Sequence, residues 1–245
     1  MPLYAPLQRA NHGSHFRALG LRGSASLINP FIGVDHAWMS APTFPPHPHS
    51  GISAVSYVFL DSETGIENRD SIGTHNLIQP GGIHWTKAGR GIIHEEIPAE
   101  TGKTVHSLQI FVDLPRHERL SEPQAMFLEP QEIPVIQEGL SKVRVAAGSF
   151  RGEASPLQAP TPVTMLDVSL DEGAELSIPL PPGEVAFILP IHGSGWVDSQ
   201  PFDASQLQVP VFNALNVHRD IRLNAPTGSN KLVFFSGRPL LPVAT

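Results

Sequence analysis

The stretch Phe44–Leu60 reads FPPHPHSGISAVSYVFL. Prolines and a glycine punctuate its first half, and an apolar, β-rich run fills its second. His47 and His49 sit two apart at the mouth of that run. Side chains two apart on a strand point to the same side of the sheet. Two imidazoles on one side make half of a metal site, provided partners lie elsewhere. AGRGIIHEEIP, residues 88–98, supplies them. On a strand, Ile92, His94 and Glu96 share one face, while Ile93, Glu95 and Ile97 share the other. Strand parity therefore selects Glu96, and not Glu95, as the companion of His94. His-x-His on one strand and His-x-Glu on a later one give three imidazoles and a carboxylate. That set suits one divalent first-row metal, Fe(II) first, with Mn, Ni, Cu, Co or Zn also compatible.

The rest of the chain has the same β character. Its 25 prolines and 21 glycines are too many for a helical protein, and they fall as punctuation: QPGG (79–82), AGRG (88–91), DEGAE (171–175), LPPGE (180–184) and HGSG (192–195). Between them lie short runs such as VHSLQIFVDL (105–114), PVTMLDVSL (162–170), EVAFILPI (184–191) and KLVFF (231–235). Short strands separated by turn signals about every 8–12 residues indicate an all-β sandwich or barrel. The only helical expectation is a turn or two within PRHERLSEPQ (115–124). The proline-rich stretch 128–162 reads as a linker with extended segments. It divides the chain into an N-terminal half, 1–130, and a C-terminal half, 131–245. Both halves have the same rhythm of strands and turns, so two similar barrels are expected.

Composition excludes several function classes. The 245 residues carry a formal net charge of −7, with only 16 Lys and Arg. No basic cluster stands out, so direct nucleic-acid binding is not expected. No run approaches the roughly 18 apolar residues of a membrane helix, and the N-terminus lacks an apolar signal-type core. There is no cysteine, which removes disulfides, thiolate sites and cysteine nucleophiles. A cytoplasmic location without membrane contact is the expectation.

FPPHPHSG, NRDSIGTHNLIQPGGIHWTKAGRGIIHEEIP and LQIFVDLP together resemble the pirin family of cupins. The family reads F-P-x-H-P-H-x-G, then R-D-S-x-G, then I-x-P-G-x-x-x-W-x-x-A-G-x-G-I-x-H-x-E. The likeness continues through PVTMLDVSLDEGAELSIPLP to the closing GRPL, so it runs from about Asn29 to Leu240. It implies a bicupin, two stacked jelly-roll β-barrels, with metal in the N-terminal barrel and a metal-free C-terminal one. The family's ligands fall on His47, His49, His94 and Glu96, the four that strand parity selects. The departures are Ser50 and Ser53, where the family has arginine and glutamate, and His84 before Trp85. The chain also ends shortly after GRPL, where many pirins continue into a C-terminal tail.

The resemblance implies a metal-dependent dioxygenase that opens a flavonol such as quercetin with O₂, Glu96 serving as catalytic base. The alternative is a non-catalytic metal-binding regulator that docks on a transcription factor or a metabolic enzyme. Among the other residues, His84 and His106 are candidates for support behind the site. His75 is expected at the surface, and His192 and His218 are isolated. Arg69 and Asp70 read as an ion pair at a barrel corner. AGRG lacks the lysine and helix of a phosphate cradle.

Overall fold

The computed structural model describes residues 1–240. It is almost entirely β, and every strand pairing is antiparallel. Among the described residues, helix is confined to Ala25–Ile28 and a 3₁₀ turn at Ala204–Gln206. The 115–124 stretch forms only turns, closed by Glu118 N–H to the Pro115 carbonyl and Ser121 N–H to that of Glu118. No helix among the described residues is long and apolar enough to cross a membrane.

Each barrel has one seven-stranded and one four-stranded sheet, and the second half adds a two-stranded ribbon, Ser149–Phe150 with Glu153–Ala154. In the first half the large sheet runs Gln124–Leu128, Ile83–Lys87, Ile52–Val58, Val105–Asp113, Phe31–Met39, Phe16–Leu21 and Gln8–His12. Its small sheet runs His47–His49, Ile92–Pro98, Ile66–Asp70 and His75–Ile78. The second half repeats the plan, which confirms the expected pair of barrels.

Two details correct the expected organisation. The 128–162 stretch is not a linker: Val135–Glu138 and Ser141–Ala147 are strands of the second large sheet, and the chain crosses over within 129–134. The proline and glycine content that suggests a linker marks only the turns around a buried strand. Leu3–Pro6, moreover, pairs with Gln208–Phe212 at the edge of the second half's sheet. The N-terminal residues thus lie with the C-terminal barrel, a long-range pairing that no local pattern encodes.

The main core lies where the two large sheets face each other. Leu21, Phe31, Tyr57 and Trp85 from the first half mingle there with Phe187, Val211 and Phe235 from the second. Phe31 meets Phe187 and Phe235 edge-on, with centroids 5.2 and 5.3 Å apart. A buried polar network crosses the same junction. Tyr57 Oη donates to Asp167 Oδ2 at 2.7 Å, Lys231 Nζ lies 2.8 Å from Asp167 Oδ1, and Arg144 Nη2 donates to the Gly81 carbonyl at 2.7 Å.

The barrels differ inside. The second is filled by twenty buried apolar side chains, whereas the first has a separate cluster of only five: Met39, Val58, Ile66, Ile78 and Val105. A packed interior leaves no room for a ligand. The unfilled barrel therefore decides where a site can be.

Candidate metal centre

His47–His49 is a three-residue edge strand with a proline at its centre. Pro48 lacks an N–H and is tolerated at an edge, where that side of the strand needs no ladder partner. The strand pairs only with Ile92–Pro98, placing His47 opposite His94 and His49 opposite Ile92. The AGRG turn sets this register. Gly89 has φ +52°, and its carbonyl accepts the Gly51 N–H at 2.7 Å. The glycines that might suggest a phosphate cradle thus clamp the two histidine-bearing strands together.

His47, His49 and His94 converge, with ring nitrogens within 4.8 Å of one another. His49 Nε2 and His94 Nε2 are 3.1 Å apart. His47 Nδ1–H donates to the Pro45 carbonyl at 3.0 Å, leaving its Nε2 lone pair free. Burial, with His94 and His47 nearby, pushes the pKa of His49 down to about 4. Burial and His47 push His94 to about 4, against the opposing pull of Asp70. Both rings are therefore neutral at pH 7, the form that binds metal. The donor set fits a divalent transition metal.

Parity holds on the Ile92–Pro98 strand. His94 is buried, while Ile93 is half exposed and Glu95 stands opposite Arg69. Glu96 turns into the barrel, but not directly into the imidazole triad: Ser56 Oγ lies 2.8 and 2.7 Å from its two carboxylate oxygens and 3.0 Å from the Gln109 amide oxygen. Burial raises the Glu96 carboxyl above its usual range, more than the Ser56 hydroxyl and the charges of His84 and His47 lower it.

A cavity of about 450 Å³ opens beside His47, His49 and Glu96. Phe16, Phe44, Phe111, Met39 and Ile66 form its apolar walls, and Gln109 and an Arg22–Asp35 ion pair supply polar points. His12, Phe16 and Phe44 pack edge-on at its rim, with centroids 5.0–5.8 Å apart. Ser56 and Gln109 escaped the sequence reading. The available signal was that each interrupts an apolar strand run, a polar residue where only a buried partner can satisfy it.

The supporting residues fall out differently from expectation. His84 is buried among Asn76 and Thr86, close enough to Glu96 to feel its charge. His106 faces away from the site, between Asp61 and His36 at 2.8 and 2.7 Å. Strand parity places it opposite the inward-facing Ser107. Arg69 and Asp70 do not pair, because neighbouring strand residues point to opposite faces. Arg69 binds Glu67 at 2.6 Å, and Asp70 Oδ1 accepts the N–H of Ile72 and Thr74. Ser50 is exposed beside His49, and the Ser53 hydroxyl is buried without a partner. His75 is at the surface on Glu67, and His192 and His218 are also exposed.

Two barrels, one packed solid and one hollow around three convergent histidines, define a bicupin with a candidate metal centre. The pirin family model matches residues 15–112. Pirin-like protein 2 of Arabidopsis thaliana is 32% identical over 245 residues, covering 97% of this chain and 74% of that protein. The chain belongs to the pirin family. Among solved structures, GK1651 from Geobacillus kaustophilus superimposes with a TM-score of 0.88 at 30% identity, covering 97% of this chain and 95% of that one. A quercetin 2,3-dioxygenase from Acinetobacter baumannii gives 0.83 at 24% identity, with 97% and 85% covered. The nickel(II) complex of the bacterial pirin YhhW from Escherichia coli gives 0.77 at 16%, with 98% and 100% covered. These last two likenesses are of fold.

Proposed function

We propose that this protein is a metal-dependent dioxygenase acting on a flavonol such as quercetin. The observation that carries the reading is the hollow barrel: about 450 Å³ of mostly apolar space beside three convergent imidazoles and a carboxyl of raised pKa. A cavity of a few hundred Å³ suits a flat aromatic ligand of flavonol size. A docking regulator would need no such chamber. His47, His49 and His94 would hold one divalent metal, Fe(II) first among the candidates, with Glu96 as fourth ligand when it turns from Ser56. The bound ion would supply Lewis-acid polarisation of the substrate's enol oxygen and a redox centre for O₂.

The protein's own groups do the rest. The phenylalanine walls take the flat rings and exclude water. Glu96, with its basicity increased by burial, takes the proton of the flavonol hydroxyl onto a carboxylate oxygen. Ser56 then holds the carboxyl in place, its own hydroxyl lying 3.0 Å from the Gln109 amide oxygen. Quercetin turnover by metal-loaded protein, with O₂ uptake in proportion, is the expected result. Glu96→Gln should lower kcat at least about a hundredfold, within the usual range for loss of a general base. Fully loaded protein that consumes neither quercetin nor O₂ would refute the assignment.

A further inference from the structure

His94 presents Nε2 to the cluster, 3.1 Å from His49 Nε2, so its Nδ1 points away. That Nδ1 is buried and has no hydrogen-bond partner. His47 is better served, its Nδ1–H held by the Pro45 carbonyl. An imidazole that binds a metal through Nε2 carries its proton on Nδ1, and metal-binding histidines nearly always give that proton to a carboxylate, carbonyl or water. Directly across the ladder from His94 stands Asp70. Opposed residues of an antiparallel pair project on the same face as close neighbours. Asp70 Oδ1 is fixed by the N–H groups of Ile72 and Thr74, at 3.0 and 2.8 Å. Its Oδ2 is buried and unpartnered. The other unpaired buried acceptor on this strand, Asn68 Oδ1, stands opposite Glu96. A donor and an acceptor thus lie buried and unsatisfied on register partners.

We propose that Asp70 is the positioning residue of His94: in the metal-loaded protein Oδ2 accepts the Nδ1–H and so holds Nε2 on the ion. The proposal rests on the metal centre proposed above. The turn 70–74 makes it possible, because two backbone N–H groups saturate one carboxylate oxygen and lock the other's direction. The negative charge also favours a ring polarised by a cation, which links the turn to metal retention.

The test is Co(II) affinity, by chelator competition, together with the visible d–d spectrum of the Co(II) protein. Asp70→Asn keeps an oxygen for the turn but replaces the second carboxylate oxygen by an amide. Asp70→Ser keeps a hydroxyl acceptor and serves if the amide variant fails to fold. Gly102→Ala, at φ +83°, strains a different turn and leaves the 70–74 turn untouched. We expect Asp70→Asn to raise the Co(II) Kd about 10- to 100-fold and shift the d–d bands, with the apo melting temperature unchanged. Gly102→Ala should lower the apo melting temperature and leave Kd and spectrum alone. Unchanged affinity in both Asp70 variants, with Co(II) bound normally by the wild type, would overturn the role of Asp70 and leave the metal centre standing. Equal losses in Gly102→Ala would overturn it, since any loss of stability would then weaken the metal. A wild-type chain that takes no Co(II) would bring down the metal centre and this inference with it.

Discussion

Glu95 and Glu96 differ only in the parity of their place on the Ile92–Pro98 strand. Glu96 reaches Ser56 inside the barrel, and Glu95 stands opposite Arg69 outside it. Each lost ligand removes a large share of metal-binding free energy. Replacing His47 or His94 by Ala should therefore weaken metal binding at least about tenfold, the lower end of what even an outer-sphere partner contributes. Glu95→Ala should leave it unchanged. Titration of each apo variant with the same metal checks this. Loss in Glu95→Ala with retention in Glu96→Ala would mean that the strand presents its other face.

At the scale of elements, the site depends on a three-residue strand held by one neighbour. Its register comes from Gly89, which combines φ +52° with a close approach to Ser121. A Cβ at Gly89 would collide with the Ser121 carbonyl, which already accepts the Arg90 N–H at 2.9 Å. Gly89→Ala meets both a left-handed backbone and a backbone neighbour that cannot yield. Such strain costs of order 1–3 kcal/mol. Denaturant unfolding should show that loss, and metal binding should weaken with it, because the Gly51–Gly89 bond is the clamp between the histidine strands. A variant as stable and as metal-competent as the wild type would show that the clamp is dispensable.

At the scale of the molecule, buried histidines couple stability to pH. Burial holds His49 and His94 at about 4; burial and the nearby His106 and Arg17 hold His36 at about 3. Unfolded, each titrates near 6.5. Between about pH 6.5 and 4 the unfolded chain therefore binds more protons than the folded one, and stability falls as pH falls. Glu96, raised by burial, acts in the opposite sense just above its ordinary range, one group against three. The apo protein should melt at a lower temperature at pH 5 than at pH 7.5. A metal that binds the folded state adds stability at neutral pH. Because two of the proposed ligands stay neutral to about pH 4, that difference should survive mild acid and vanish only near pH 4, lower than reference imidazoles would suggest. Melting curves with and without metal at pH 7.5, 5 and 4 test both statements; an apo melting temperature that does not fall at pH 5 would contradict the first.

What the sequence by itself determined is local and periodic. Gly and Pro punctuation between β-branched runs specifies short antiparallel strands, and period two places His47 with His49 and His94 with Glu96. The long central motif carries the family likeness. What only the tertiary structure decided is which residues meet across strands, and which barrel stays hollow. Parity tells two residues of one strand apart, but it does not name the strand that lies opposite. Hence Ser56 under Glu96, Asp70 across from His94, His106 turned outward to Asp61, and Leu3–Pro6 docked on the far barrel all lay beyond local reading. The two halves share one rhythm, yet twenty apolar side chains fill one interior and a cavity occupies the other. That difference is a sum of side-chain volumes over many strands, fixed only once their registers are set.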